Sequence, residues 1–210
     1  MTGTDLLSQS ITDEYLPFLM SALTPTRLQH SLGVMQVMSE LAEIYDLDRT
    51  QALSAGLLHD AAKDLSTARQ LALAEEARIE FKHECERHPV YLHAPIGAYV
   101  VSQELVITDN LVLDAIAAHS DGGDKVDADL QFQWCLQAAD ILAPVREWHG
   151  MRKLKDIVYA GRLPEAALLR CGWLLEHFAN AGVPIHPNLE KKFQALSDQL
   201  QVAEGFFERW

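Results

Sequence analysis

Apolar residues recur at helical spacing along nearly the whole 210-residue chain, and the alternation of a half-buried strand is essentially absent. That pattern restricts the chain to helix packed on helix. Helices are expected over 12–23, 25–46, 49–59, 66–77, 94–104, 109–119, 128–147, 151–160, 164–181 and 188–203. Thr24-Pro25 supplies a cap followed by proline at the first helical position. Gly and Pro fall mostly between segments, as in the Gly122-Gly123 pair and AGVPIHP at 181–187. No internal repeat or low-complexity tract is visible. With 49% apolar and 22% charged residues, the chain is long enough to bury a real core. The expected fold is an all-α multi-helix bundle.

The formal net charge is −13, and no run of Lys or Arg stands out. This argues against broad electrostatic binding to nucleic acid or to an anionic membrane surface. A small phosphorylated substrate would need locally concentrated positive charge, which a metal ion supplies. Three cysteines, widely spaced and odd in number, form no CxxC and suit a reducing compartment. The N-terminal stretch carries acids in place of a basic, apolar leader, and no apolar run approaches the roughly 20 residues of a membrane span. A cytoplasmic protein is expected.

Against this background the string GLLHDAAKDL at 56–65 is out of place. An apolar, small-residue run leads straight into adjacent His59 and Asp60, with Lys63 three residues on. Other polar residues share the anomaly. His30 lies on the apolar stripe of Val34, Val37, Met38 and Leu41, with Arg27 one turn earlier. Asp140 lies among Leu136, Ala139, Ile141 and Leu142, where a carboxylate must be protonated, paired with Arg146 or metal-bound. His93 opens HAPIGAYVV, and His119 ends LVLDAIAAH, where a histidine also suits a helix C-terminus. Taken singly, each has a plain structural role. Together, His30, His59, Asp60, His93, His119 and Asp140 form a nitrogen and oxygen donor set suited to iron, manganese or zinc. Ala55 and Gly56 would let helices approach closely where the His59–Asp60 pair emerges.

The order His30, His59-Asp60, Asp140 resembles the HD-domain metal-dependent phosphohydrolases. More closely, the strings RLQHSLGV, AGLLHDAAKDLS, LHAPIGAYVV, LDAIAAHS, AADILAPVR and IHPN together resemble the bacterial YqeK family. Members of that family are symmetrical dinucleoside tetraphosphatases. The resemblance implies an HD-domain bundle over 24–149, preceded by a helix within 1–23 and followed by a helical extension over 150–210. It implies bound iron, with manganese, cobalt, nickel or magnesium as alternatives, and cleavage of diadenosine tetraphosphate (Ap4A) into two ADP.

Carried over by position, His30, His59, Asp60 and Asp140 would hold the metal. His93 and His119 would hold a second ion or face the phosphates. Catalysis would fall to Asp60, Lys63, His93, His119 and Arg146, with His30 and Asp140 also lining the substrate site. Lys63, Asp64 and Ser66 would line the nucleotide pocket, Arg146 would contact phosphate, and His186 and Asn188 would close near the nucleotide. The loop HSDGGDKVDADLQ after His119 is more acidic than the family pattern. Two other readings stand beside this one. The chain could be an HD phosphohydrolase for a nucleoside monophosphate or a guanosine alarmone, or a non-catalytic helical metal-binding module. The apolar tail helices could pack within the chain or across a homodimer.

Overall fold

Ten α-helices and one 3₁₀ turn account for the regular structure in the computed structural model, which describes residues 3–121, 130–144 and 150–208. No strand occurs among the described residues. The helices are α1 (Gly3–Ala22), α2 (Pro25–Tyr45), α3 (Arg49–Leu58), α4 (Thr67–Glu76), α5 (Pro89–Glu104), α6 (Asn110–Ala118), α7 (Leu130–Leu142), α8 (Met151–Tyr159), α9 (Leu163–Ala181) and α10 (Pro187–Gln199). The all-α expectation is met, with four boundaries displaced, one of them the end of α10 at Gln199 in place of 203. Helix α1 begins near residue 3 and accommodates Pro17. Helix α5 begins at Pro89, five residues before the expected start, because His88 caps it by accepting from the Val90 amide. Helix α7 ends at Leu142, just before Pro144, which cannot continue a helical hydrogen-bond ladder.

Side-chain caps fix several starts. Asp48 accepts from Gln51 N, Ser66 from Arg69 N, and Asp109 from Leu111 N and Val112 N. One apolar core joins the elements. Leu19 of α1, Met38 and Leu41 of α2, Leu53 and Leu57 of α3, Ile116 of α6 and Leu136 of α7 are fully buried in it. Each such side chain contributes about 1.5–3 kcal/mol on leaving water. Leu154 of α8 and Trp173 of α9 belong to the same core, so it runs across the expected boundary at Gly150.

Helices α2 and α3 pack against each other more extensively than any other pair. Gly56 makes this approach feasible. A Cβ at Gly56 would lie 2.8 Å from Met35 Cα and 3.0 Å from Met35 N. The close approach sets His30 of α2 beside the end of α3, where His59 and Asp60 emerge. Among the described residues, no helix is long and apolar enough to cross a membrane.

Candidate active site

Helix α3 stops at Leu58, and the chain descends through tight turns in which Ala61 N bonds Leu58 O and Lys63 N bonds Asp60 O. The turn is held from below by buried Gln70, whose amide donates to the carbonyls of Ala62 and Leu65 at 3.1 and 2.9 Å. At a helix end the adjacent His59 and Asp60 side chains are free of the mid-helix rule that sends neighbours apart. Both turn into the interior and are buried.

Asp60 sits at the centre of a ring of imidazoles. Its Oδ1 lies 3.3 Å from His93 Nε2 and 3.6 Å from His119 Nε2. Its Oδ2 lies 3.6 Å from His59 Nε2 and 4.0 Å from His30 Nε2. Asp140 Oδ1 closes the second side, 2.9 Å from His30 Nε2 and 3.7 Å from His59 Nε2. The rings meet edge to face, with centroids 5.3 Å apart for His30–His59, 5.2 Å for His59–His119 and 5.0 Å for His93–His119. All six donors singled out in the sequence therefore converge. Two buried triads emerge, His30–His59–Asp60 and Asp60–His93–His119, with Asp60 common to both.

Backbone carbonyls decide what these rings present. His59 Nδ1 lies 2.9 Å from Gly56 O, His93 Nδ1 3.1 Å from Pro89 O, and His119 Nδ1 2.7 Å from Ile116 O. A carbonyl only accepts, so each Nδ1 carries a proton, and in the neutral ring Nε2 offers its lone pair to the centre. His59 Nε2 is buried and has no hydrogen-bond partner. Three imidazole lone pairs and a carboxylate thus face one another with no proton to share among them in the neutral state. Such a constellation of acceptors could hold a metal ion. The residues fit a divalent ion of the kind that takes nitrogen and oxygen ligands, and the carbonyl-bonded Nδ1 atoms are the outer contacts that orient metal-binding histidines.

The electrostatics agree. Burial disfavours charge on Asp60, but the His59 imidazolium, contacts from His119 and His93 and the Lys63 ammonium outweigh it and hold the carboxyl well below its usual range. Burial likewise opposes charge on His59, yet Asp60, Asp140 and the Gly56 carbonyl raise its pKa on balance. Burial dominates at His93, pushed down to about 4, so that ring is neutral.

Two cations border the centre. Arg27 donates to Asp60 Oδ2 at 3.0 Å and comes within 3.9 Å of Asp64. Lys63 Nζ lies 3.0 and 3.1 Å from the two ring nitrogens of His93, so it lies against that imidazole. Asp64 accepts from Thr24 N and Thr24 Oγ1 and ties the start of α2 to the turn, while Ser66 caps α4. Arg146 and most of the acidic loop, residues 122–129, lie outside the described residues.

His186 and Asn188 are not in the ring of six. They line a separate pocket with Tyr91, Pro95 and Asp121. One residue that sequence reasoning passed over supports the centre from outside: buried Arg170 of α9 donates to the backbone carbonyl of His119 at 3.0 Å. Gln137 of α7 donates to Ala118 O beside it. An arginine in the apolar string LLRCGWLL is the same kind of anomaly that marks Asp140.

The HD-domain family profile matches residues 27–145, which contain all six donors. A symmetrical bis(5'-nucleosyl)-tetraphosphatase of Halalkalibacterium halodurans is 32% identical over 63% of this chain and 69% of its own length. A protein of the same description from Bacillus subtilis is 29% identical over 69% of this chain and 76% of its own. A solved structure described as a predicted HD superfamily hydrolase involved in NAD metabolism, from Clostridium acetobutylicum, superposes with a TM-score of 0.81 at 28% identity. That match covers 91% of this chain and 97% of the other.

Proposed function

The chain belongs to the HD-domain family and, within it, to the symmetrical bis(5'-nucleosyl)-tetraphosphatases, and on that premise we propose that it cleaves Ap4A into two ADP. The observation that carries the reading is the convergence of imidazole Nε2 atoms on both oxygens of Asp60. His30, His59, Asp60 and Asp140 hold the metal, with iron as the proposed ion. His93 and His119, facing the other oxygen of Asp60, complete a second position or meet the phosphates. When bound, a divalent ion lowers the pKa of its water to about 7 and withdraws charge from phosphoryl oxygens.

The protein's own groups do the rest. Asp60 joins the two triads, and its buried negative charge fixes the imidazoles around it. Lys63 and Arg27 put positive charge at the rim, where the oxygens of a polyphosphate accumulate charge as the central P–O–P bridge breaks. Arg146 is the further phosphate cation in this reading. Water adds across the bridge, so one oxygen of each ADP product terminates a cleaved end. Asp64 and Ser66 border the nucleotide from the turn they cap. Three free cysteines suit a cytoplasmic setting.

Product analysis tests the proposal. Purified, iron-loaded protein incubated anaerobically with Ap4A should yield ADP as the sole nucleotide product on anion exchange. ATP plus AMP would place the attack at another phosphorus and overturn the symmetrical reading. Turnover only of a nucleoside monophosphate or guanosine alarmone would favour the other HD chemistry.

A further inference from the structure

Gln70 is buried on the first turn of α4, beneath the chain that leads out of His59 and Asp60. Its side-chain amide puts one N–H on each of two carbonyls, Ala62 O at 3.1 Å and Leu65 O at 2.9 Å. Its Oε1 is buried and has no hydrogen-bond partner. Only the donors of this side chain are used, and an apolar residue of similar length would fill the space without stranding an acceptor. The Ala62 carbonyl already accepts from Leu65 N at 3.2 Å. At that carbonyl the amide therefore adds a tether to α4 beyond what the turn needs to close.

Two side chains of the site stand between the clamped carbonyls. Lys63 sets its Nζ 3.0 and 3.1 Å from the ring nitrogens of His93, and Asp64 accepts from Thr24 N and Thr24 Oγ1 at 2.7 and 2.9 Å. Packing puts the clamp in register with His93. Ala62 shares one apolar cluster with Leu73 and Ala74 of α4 and with Leu92 and Ile96 of α5, and Leu65 packs against it. Leu92 immediately precedes His93, and Gln70 lies one turn before Leu73 and Ala74. The contacts close a circuit: α5 carries His93 and packs on α4, α4 holds the turn through Gln70, and the turn returns Lys63 to His93. A lysine ammonium sits on a flexible four-carbon stem, so the placement of its root decides where the charge resides. We propose that Gln70 is a positioning residue for Lys63, its amide locking the 62–65 turn to α4 so that the ammonium stays against His93. The inference rests on the reading of Lys63 as a phosphate cation. It adds that charge at the rim is placed from α4, a helix that carries none of the six metal donors.

Gln70→Met keeps the length and the apolar contacts and removes both donors. Timed acetylation with peptide mass spectrometry reads Lys63 directly, with exposed Lys191 as the internal standard. In the parent, Lys63 should react at least about tenfold more slowly than Lys191, and Gln70→Met should remove most of that protection. Metal content should stay at the parent level, because His59 and Asp60 precede the clamped segment. The kcat/KM for Ap4A should fall about 10²-fold, the scale of misplacing a reacting group by about 1 Å. A double-mutant cycle with Lys63→Met separates positioning from plain stability: in that background Gln70→Met should cost no further activity. A full additional loss there, or parent-level protection of Lys63 in Gln70→Met, overturns the proposal. So does acetylation of Lys63 as fast as Lys191 in the parent, a result that needs no variant to fold. Protection lost on Gln70→Met in a protein that does not hydrolyse Ap4A would keep the positioning role and remove the tetraphosphatase reading. Hydrolysis of Ap4A with Lys63 unprotected in the parent would do the reverse.

Discussion

Arg170 of α9 donates a hydrogen bond to the backbone carbonyl of His119 at 3.0 Å, and through its other amino group it reaches Gln137 Oε1 at 3.3 Å. Gln137 in turn donates to Ala118 O, so two helices grip the last carbonyls of α6 where His119 is presented. Arg170 is a positioning residue for that imidazole. Arg170→Met leaves two buried acceptors short of a donor, at about 1–3 kcal/mol each. The expected outcome is a lower Tm together with metal affinity reduced about 10–100-fold, as for other outer contacts of metal-binding histidines. Calorimetric metal titration checks it. Arg170→Lys should recover part of the affinity.

Gly56 links packing to the centre in a different way. Gly56→Ala drives a methyl into the Met35 backbone at 2.8 Å, a contact no side-chain rotation relieves. Overpacking of this kind costs about 1–3 kcal/mol. Because α2 carries His30 and α3 leads into His59, separating them should also lower metal occupancy. Urea unfolding and metal analysis of the same variant should show both losses together.

Asp140 distinguishes a reactive metal from a structural one. Its side chain is 18% exposed and bonds His30 Nε2 at 2.9 Å, so Asp140→Ala opens a partly solvated position and does not empty the core. Circular dichroism should stay helical, while Ap4A hydrolysis falls by about 10³ or more, the scale of losing a preorganised charge. Collapse of the fold on this substitution would mark the ion as structural.

Lys192 provides a pH signature away from the centre. Burial pushes its ammonium down to about 8, against help from Cys171 and Asp121 and with opposition from Arg170. Below pH 8 both folded and unfolded chains carry the proton, and the fold bears the full cost of the buried charge. Between about 8 and the ordinary 10.5 the folded chain releases the proton first, so this group's contribution to stability rises with pH. Lys192→Met should therefore be more stable than the parent at pH 7, by at most about 3 kcal/mol. That advantage should shrink as pH climbs toward 10.5, as read by urea denaturation across the range.

The residues that announced themselves in the sequence were those whose chemistry conflicted with a local pattern. His30 on its apolar stripe, the His59–Asp60 pair after SAGLL and Asp140 among aliphatic neighbours all carried that conflict, and the fold brings them together. Thr24-Pro25 marked the start of α2 for an equally local reason. His88-Pro89 carries the same signature, and reading it would have placed His93 inside α5 with its Nδ1 on the Pro89 carbonyl. Arg170, Gln70 and Lys192 were harder to see. Arg170 and Gln70 bond carbonyls of other segments, and the environment of Lys192 is set by α9 and α7; no spacing within their own helices encodes such contacts. Asp140 finds His30, 110 residues away, as the donor set read from the sequence expects, and only assembly of the helices brings the two together.

The most direct test of the account compares metal-free and reconstituted protein in single-turnover hydrolysis of Ap4A. Chelation should abolish ADP formation, and titration with Fe²⁺ should restore it in proportion to bound ion, with Asp60→Asn failing both to bind the ion and to respond. ADP formed at an undiminished rate by metal-free protein would contradict the claim that the ring of imidazoles around Asp60 is a metal-dependent hydrolytic centre.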